Sequence, residues 1–282
     1  MSVCQQRASK RTPKDVLLDY NSNKFTNPSK FDPLLMLKWD QIAFLHLPSD
    51  YIALELSPIA PFGSVSSVAP ISQDWVLTTI RNTEVLSDAS NILALECTLR
   101  RSILIKQKET KNTPVNLACS HRVIRMQPFE GANLIQHFRL FSLCSAGKVK
   151  SKLEFELENI KTHIHFYLES IRSFLEREIS FRVVILDLSS DSQITNVIKE
   201  FVLVLRNELV NIDVSYRKLN YLEQDYYQNI RFKIYVSQGE KNELELIDGG
   251  ATNWSQKLLN NAKERLVISG IGSERLCELS KK

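Results

Sequence analysis

Between Lys152 and Glu178 the apolar residues Leu153, Leu157, Ile160, Ile164, Leu168, Ile171 and Leu175 recur every three or four positions. That is the period of a helix with one apolar face. The pattern changes on both sides of it. From Phe44 to Ile80 short apolar runs, Ile52 to Leu56 and Trp75 to Ile80, are broken by Pro58, Pro61 and Gly63, which predicts strands. A helix is predicted at about Ser90 to Arg101, capped by Asp88 or Ser90. Val115 to Met126 and His137 to Cys144 predict a long antiparallel hairpin, with Gln127 to Gln136 as its loop. After the amphipathic helix, Phe181 to Leu188 predicts a buried strand, and Ile194, Val197, Ile198, Phe201, Leu205 and Leu209 predict a second helix. Ile230 to Val236 and Glu243 to Ile247 alternate as strands do, and Gly249-Gly250 predicts a turn before a helix near Asn253. A strand at Leu266 to Ser269, a glycine turn at Gly270-Ile-Gly272 and a helix from Ser273 end the chain. The class is therefore α+β, an antiparallel sheet flanked by helices.

Composition narrows the class of function. With 43% hydrophobic residues, 24% charged residues and eight glycines in 282 residues, the chain can build a large core. A net charge of +4, from 36 basic and 32 acidic residues, is too mild to argue for a nucleic-acid protein. Five scattered cysteines without a C-x-x-C pair suit a reducing compartment and offer no zinc spacing. No apolar stretch is long enough to span a bilayer, and the first residues lack the apolar segment of a secretory signal. The expectation is a soluble cytoplasmic protein, with residues 1–15 a disordered basic segment (Arg7, Lys10, Arg11, Lys14) and 16–282 a single domain.

Three segments carry chemistry. Gly270-Ile-Gly272-Ser-Glu-Arg275 places an arginine on the first turn of a helix, where a guanidinium can meet a phosphate with two parallel hydrogen bonds. Arg139 and Phe141 alternate on the second arm of the hairpin and so share a face, which Arg125 joins if the register allows. Periodicity by itself puts Phe141 in the core and the arginines on a wet sheet face. His163 and His165 fall on different faces of the long helix, which favours surface or half-buried roles over a shared metal. Cys119 and Cys144 suit the core, as do Trp75 and Trp254 by default, with pocket walls as the alternative for the two tryptophans.

In order, these segments resemble the catalytic core of class II aminoacyl-tRNA synthetases, most of all histidyl-tRNA synthetase and its paralogue, the regulatory subunit of ATP phosphoribosyltransferase. Val123-Ile-Arg125-Met-Gln127 is similar to the start of the family's second motif and Arg139-Leu-Phe141 to its end; Gly270 to Leu276 is similar to the third motif. The resemblance implies that Arg125 holds the α-phosphate of ATP, that Arg139 contacts ATP, that Phe141 stacks on adenine and that Arg275 binds the γ-phosphate. It gives Arg125 and Arg275 the catalytic roles. Asp225-Tyr226-Tyr227 with Phe232, and Asp248-Gly249-Gly250, resemble the histidyl-specific segments lining the amino-acid pocket, and Asp88 matches the acidic residue that receives the α-amino group.

The departures concern polar groups. Gln127 and Leu140 stand where the family has acids, Leu222 where it has an arginine, and Leu143 where it has a glutamine. With the resemblance to the third motif lying so near the last residues, no anticodon-binding domain is expected. Two functions remain open. The preferred one, because three arginines are what a triphosphate needs, is an adenylate-forming ligase using ATP and Mg2+ on a small amino-acid-like carboxylate, with tRNA left open as acceptor. The other is a non-catalytic regulatory subunit with a protein partner, which the lost polar groups favour. The resemblance further implies a homodimer paired through Leu34 to Leu56.

Overall fold

A computed structural model describes residues 2–107, 110–127, 136–219, 226–238 and 243–280. Its centre is an eight-stranded sheet. In chain order its strands are β1 (Tyr51–Ala53), β4 (Val115–Ile124), β5 (His137–Lys148), β6 (Ser180–Asp187), β7 (Asp213–Lys218), β8 (Ile230–Ser237), β9 (Leu244–Thr252) and β10 (Glu264–Gly272). They lie side by side as β1-β4-β5-β10-β9-β8-β6-β7, while β2 (Ile59–Pro61) and β3 (Thr83–Val85) form a separate ribbon. Among the six central strands, neighbours are antiparallel to one another; the edge strands β1 and β7 run parallel to β4 and β6.

The long hairpin forms as predicted, with Val115 opposite Ala146 and Ile124 opposite His137. Its alternation feeds two cores. Phe141 and Leu143 face a cluster with Ile160, Ile164 and Ile171 of the amphipathic helix α6 (Glu154–Leu175). Leu117, Cys119, Cys144 and Ala146 face a second cluster with Leu93 and Cys97 of α5 (Ala89–Lys106) and Trp254 of α8 (Trp254–Leu259). Cys119 and Cys144 are core residues, and burial raises both thiol pKa values. The helix α3 (Pro33–Leu45) and α9 (Ser273–Ser280) join α6, and α7 (Ser192–Glu208) crosses from β6 to β7.

Several expectations change. Residues 1–15, expected without structure, contain α1 (Val3–Ala8) and the start of α2 (Pro13–Ser22), each closed by a capping box and neither burying a residue. In each, the capping box satisfies the first backbone N–H groups locally. A small fourth helix, α4 (Ser64–Val68), was also not foreseen. The run Trp75 to Ile80 is not a strand: Gln73–Trp75 is one 3-10 turn, and Thr78 makes a lone bridge to Glu84. Both glycine pairs lie inside strands rather than in turns, Gly249-Gly250 in β9 and Gly270 and Gly272 in β10. His163, expected at the surface or half buried, is fully buried. The predicted hairpin loop around Pro128, Gly131 and Asn133, together with Leu222 and Asp225, lies outside the described residues.

Candidate functional site

Arg125 enters the site from just beyond the end of β4. Arg125 N–H donates to Gln136 O at 2.7 Å, continuing the ladder by one step. Because side chains alternate across a strand, Arg125 shares its face with Phe138, Leu140 and Ser142 of β5, whereas Arg139 and Phe141 project from the other face. A cleft of about 1000 Å³ lies on the Arg125 face, walled by β5, β9, β10, the N-terminus of α5 and the first turns of α9.

Arg125 is held by three contacts. Its Nε donates to Ser87 O at 3.0 Å, Nη2 to Asp88 at 3.3 Å, and the guanidinium stands 5.1 Å over the Phe138 ring. Asp88 does double duty, since its other oxygen caps α5 by accepting from Ser90 N at 2.9 Å and Ser90 Oγ at 2.8 Å. Arg275 comes from the first turn of α9, is exposed to the cleft, and has no hydrogen bond or ion pair among the described residues. Gly270 and Gly272 also line the cleft, where a methyl group would meet nothing closer than 3.5 Å. Their lack of side chains keeps the floor of the cleft open.

Tyr226 and Tyr227 form the opposite wall, packed edge to face at 4.8 Å, with Tyr226 also against Trp254 at 5.1 Å. Burial raises both phenol pKa values, so both remain protonated at neutral pH. The sequence reading missed Arg231 as a cleft residue, whereas Asp248 lies in a segment that the resemblance already assigned to the pocket. Arg231 donates from Nε and Nη2 to the two Asp248 oxygens at 2.6 and 2.8 Å, and its guanidinium lies 5.1 Å from the Tyr227 ring. Gly250 makes room for this wall: a Cβ there would stand 2.8 Å from Tyr227 Cδ1, and one on Gly249 would stand 2.5 Å from Ser269 Cβ. The two glycines serve close strand packing instead of lining the cleft.

Two expected residues are elsewhere. Phe141 is fully buried, stacked on Phe166 at 5.5 Å and edge-on to Trp39 at 6.0 Å, so it cannot meet a ligand. Arg139 pairs with Asp40 of α3, and its backbone N–H donates to Glu274 at 2.6 Å. Phe138, one position before Arg139, is the aromatic residue that reaches the cleft. Trp75 is also there, 45% exposed.

These placements bear on the ATP and Mg2+ that the resemblance implies. Asp88, Asp248, Glu245 and Glu274 each face a cation, leaving Glu278 of α9 as the cleft carboxylate with no partner among the described residues. Mg2+ is commonly held by one or two carboxylates together with substrate phosphates. With Gln127 and Leu140 in place of acids and Arg139 on the far face, the residues present do not fit Mg·ATP as the resemblance implies. Of the three arginines lining the cleft, Arg125 and Arg231 are already paired with Asp88 and Asp248, which leaves Arg275 without a partner among the described residues and suits a smaller anion.

No protein-family profile matches the chain, and no curated protein does. Solved structures do. An ATP phosphoribosyltransferase regulatory subunit/histidyl-tRNA synthetase from Bacillus halodurans is 14% identical with a TM-score of 0.65, over 92% of this chain and 83% of that one. Histidyl-tRNA synthetase from S. aureus is 12% identical with a TM-score of 0.58, over 95% and 67%. A pyrrolysyl-tRNA synthetase from Desulfitobacterium hafniense is 15% identical with a TM-score of 0.53, over 94% and 71%. The chain has the class II aminoacyl-tRNA synthetase fold.

Proposed function

We propose that this chain is a non-catalytic ligand-binding protein on a class II synthetase fold, holding a small amino-acid-like carboxylate in the cleft and passing its state to a protein partner. The observation that carries this reading is the division of the arginines between the two faces of the hairpin. Arg125, Arg231 and Arg275 meet one cleft, the first two already engaged by Asp88 and Asp248, while Arg139 is spent on Asp40 on the other face. A carboxylate is matched by one or two guanidinium groups, whereas a bent triphosphate calls for more converging charge. The fold shared with an ATP phosphoribosyltransferase regulatory subunit is in keeping with a regulatory role, although a fold by itself hosts many functions. A homodimer would use α3 and the edge strand β1, where Leu34, Leu37 and Leu45 are 74%, 60% and 76% exposed.

A second reading, the adenylate-forming ligase, is favoured by one observation: Phe138 under Arg125 gives the cleft an aromatic platform that could carry a base. ATP–pyrophosphate exchange separates the two. With Mg·ATP and each proteinogenic amino acid in turn, we expect no exchange above the rate without protein. Exchange with any amino acid that is lost in Arg275→Ala would establish the ligase instead.

A further inference from the structure

At the far end of β5, β9 and β10 from the cleft lies a second cavity of about 350 Å³, within the size range of small-molecule pockets. Its lining holds buried acceptors with nothing to accept. Glu156 and Thr252 are each 3% exposed, yet Glu156 Oε2 and Thr252 Oγ1 have no hydrogen bond among the described residues, nor does Asn253 Oδ1. Buried polar atoms are rarely left this way, and each one unmatched destabilises the fold.

The same lining carries unengaged donors. Arg265 uses Nε on Glu156 Oε1 at 3.0 Å and Nη1 on Ala262 O and Glu264 O at 2.8 Å each, which leaves Nη2 without a partner among the described residues. Lys152 has no hydrogen bond or ion pair among them either. The backbone is also held in an unusual state here. Lys152, Leu153 and Asn229, all lining residues, have positive φ of 40°, 65° and 61°, a conformation that side-chain-bearing residues seldom adopt.

We propose that this cavity is a second binding site, for a free α-amino acid in its zwitterionic form. The ammonium would donate to Glu156 Oε2, Thr252 Oγ1 and Asn253 Oδ1, and the carboxylate would accept from Arg265 and Lys152. A purely anionic ligand would leave the three acceptors unmatched, and a simple amine would leave the two cations unmatched; a zwitterion answers both sets. The site is separate from the Arg125–Arg275 cleft and does not depend on the function assigned to it.

The test uses the full chain carrying Arg275→Ala, which weakens the cleft, and reads the second site through Thr252 and Asn253, which do not line the cleft. Each proteinogenic L-amino acid is added singly at millimolar concentration and thermal stability is followed. At least one should raise the midpoint, its N-acetyl derivative should not, and Thr252→Val should weaken its binding about tenfold, the size expected for one lost hydrogen bond to a charged group. Thr252→Val is nearly isosteric and should by itself raise the midpoint of the free protein, because it removes an unmatched buried hydroxyl. Asn253→Leu, at a half-buried position, gives a second variant if the first does not fold. No stabilisation by any amino acid, or stabilisation unchanged in both variants, would overturn the site and leave the cavity to water.

Discussion

Phe138 and Phe141 are three positions apart and answer to different chemistry. Phe141 belongs to the larger core, so Phe141→Ala should cost about 3–5 kcal/mol, read as a lower urea midpoint, without weakening the cleft's ligand while the protein stays folded. Phe138→Ala should do the reverse, with a modest loss of stability and a marked loss of ligand affinity. Equal effects on affinity would mean that the hairpin faces are assigned wrongly. His163 makes a third kind of claim. It sits fully buried between Ser145 Oγ at 3.2 Å and Ser269 Oγ at 2.8 Å, which in turn bond Tyr51 and Tyr167. Burial pushes its pKa down from 6.5 to about 3. Between those values the unfolded chain binds a proton that the folded one does not, so stability should fall as pH falls below 6.5. The slope from this group is about 1.4 kcal/mol per pH unit. In His163→Gln the stability profile between pH 6.5 and 4 should be flatter by that amount; an unchanged slope would contradict the assignment.

Among the elements, those with a strong period were readable and those without one were not. The stripe of α6, the capping Asp88 of α5 and the alternation of β8 each left a local signal in the sequence. By contrast α3 is apolar nearly all round, so no stripe marks it, although Asp32-Pro33 is a legible start: the Asp32 side chain accepts from Leu34 N. The edge strand β7 is short and half exposed, which weakens its pattern. The faces of the hairpin were not legible, because a one-residue change in register turns every side chain over, and register depends on how the strands pair. This is why Arg125 and Arg139 looked convergent and are not. What ties α5 to the sheet is also non-local. Arg101 of α5, fully buried, donates to both Glu264 oxygens of β10 at 2.9 and 3.0 Å and to the carbonyls of Lys111 and Thr113. Removing one partner strands the other charge, so Arg101→Ala should lower stability by about 3–5 kcal/mol in denaturant unfolding. A loss below about 1 kcal/mol would mean the pair is hydrated, as surface pairs are.

For the molecule as a whole, the fold is that of an enzyme family while the cleft retains only part of the equipment the resemblance implies. Arg125, Arg275, Asp88, Tyr226 and Tyr227 gather at one cleft, as the sequence suggested. Arg231 and Asp248 add an ion pair there, and no helix among the described residues is long and apolar enough to cross a membrane. Trp75 offers a direct report on the cleft, since Trp39 and Trp254 are fully buried and remote from solvent. The decisive measurement is therefore a tryptophan-fluorescence titration with small amino-acid-like carboxylates, run on the wild type, Trp75→Phe and Arg275→Ala. The account predicts a saturable change for at least one carboxylate that vanishes in Trp75→Phe and needs at least about tenfold more ligand in Arg275→Ala, as loss of a charge-assisted contact requires. Saturation by Mg·ATP alone, or an affinity indifferent to Arg275→Ala, would contradict it.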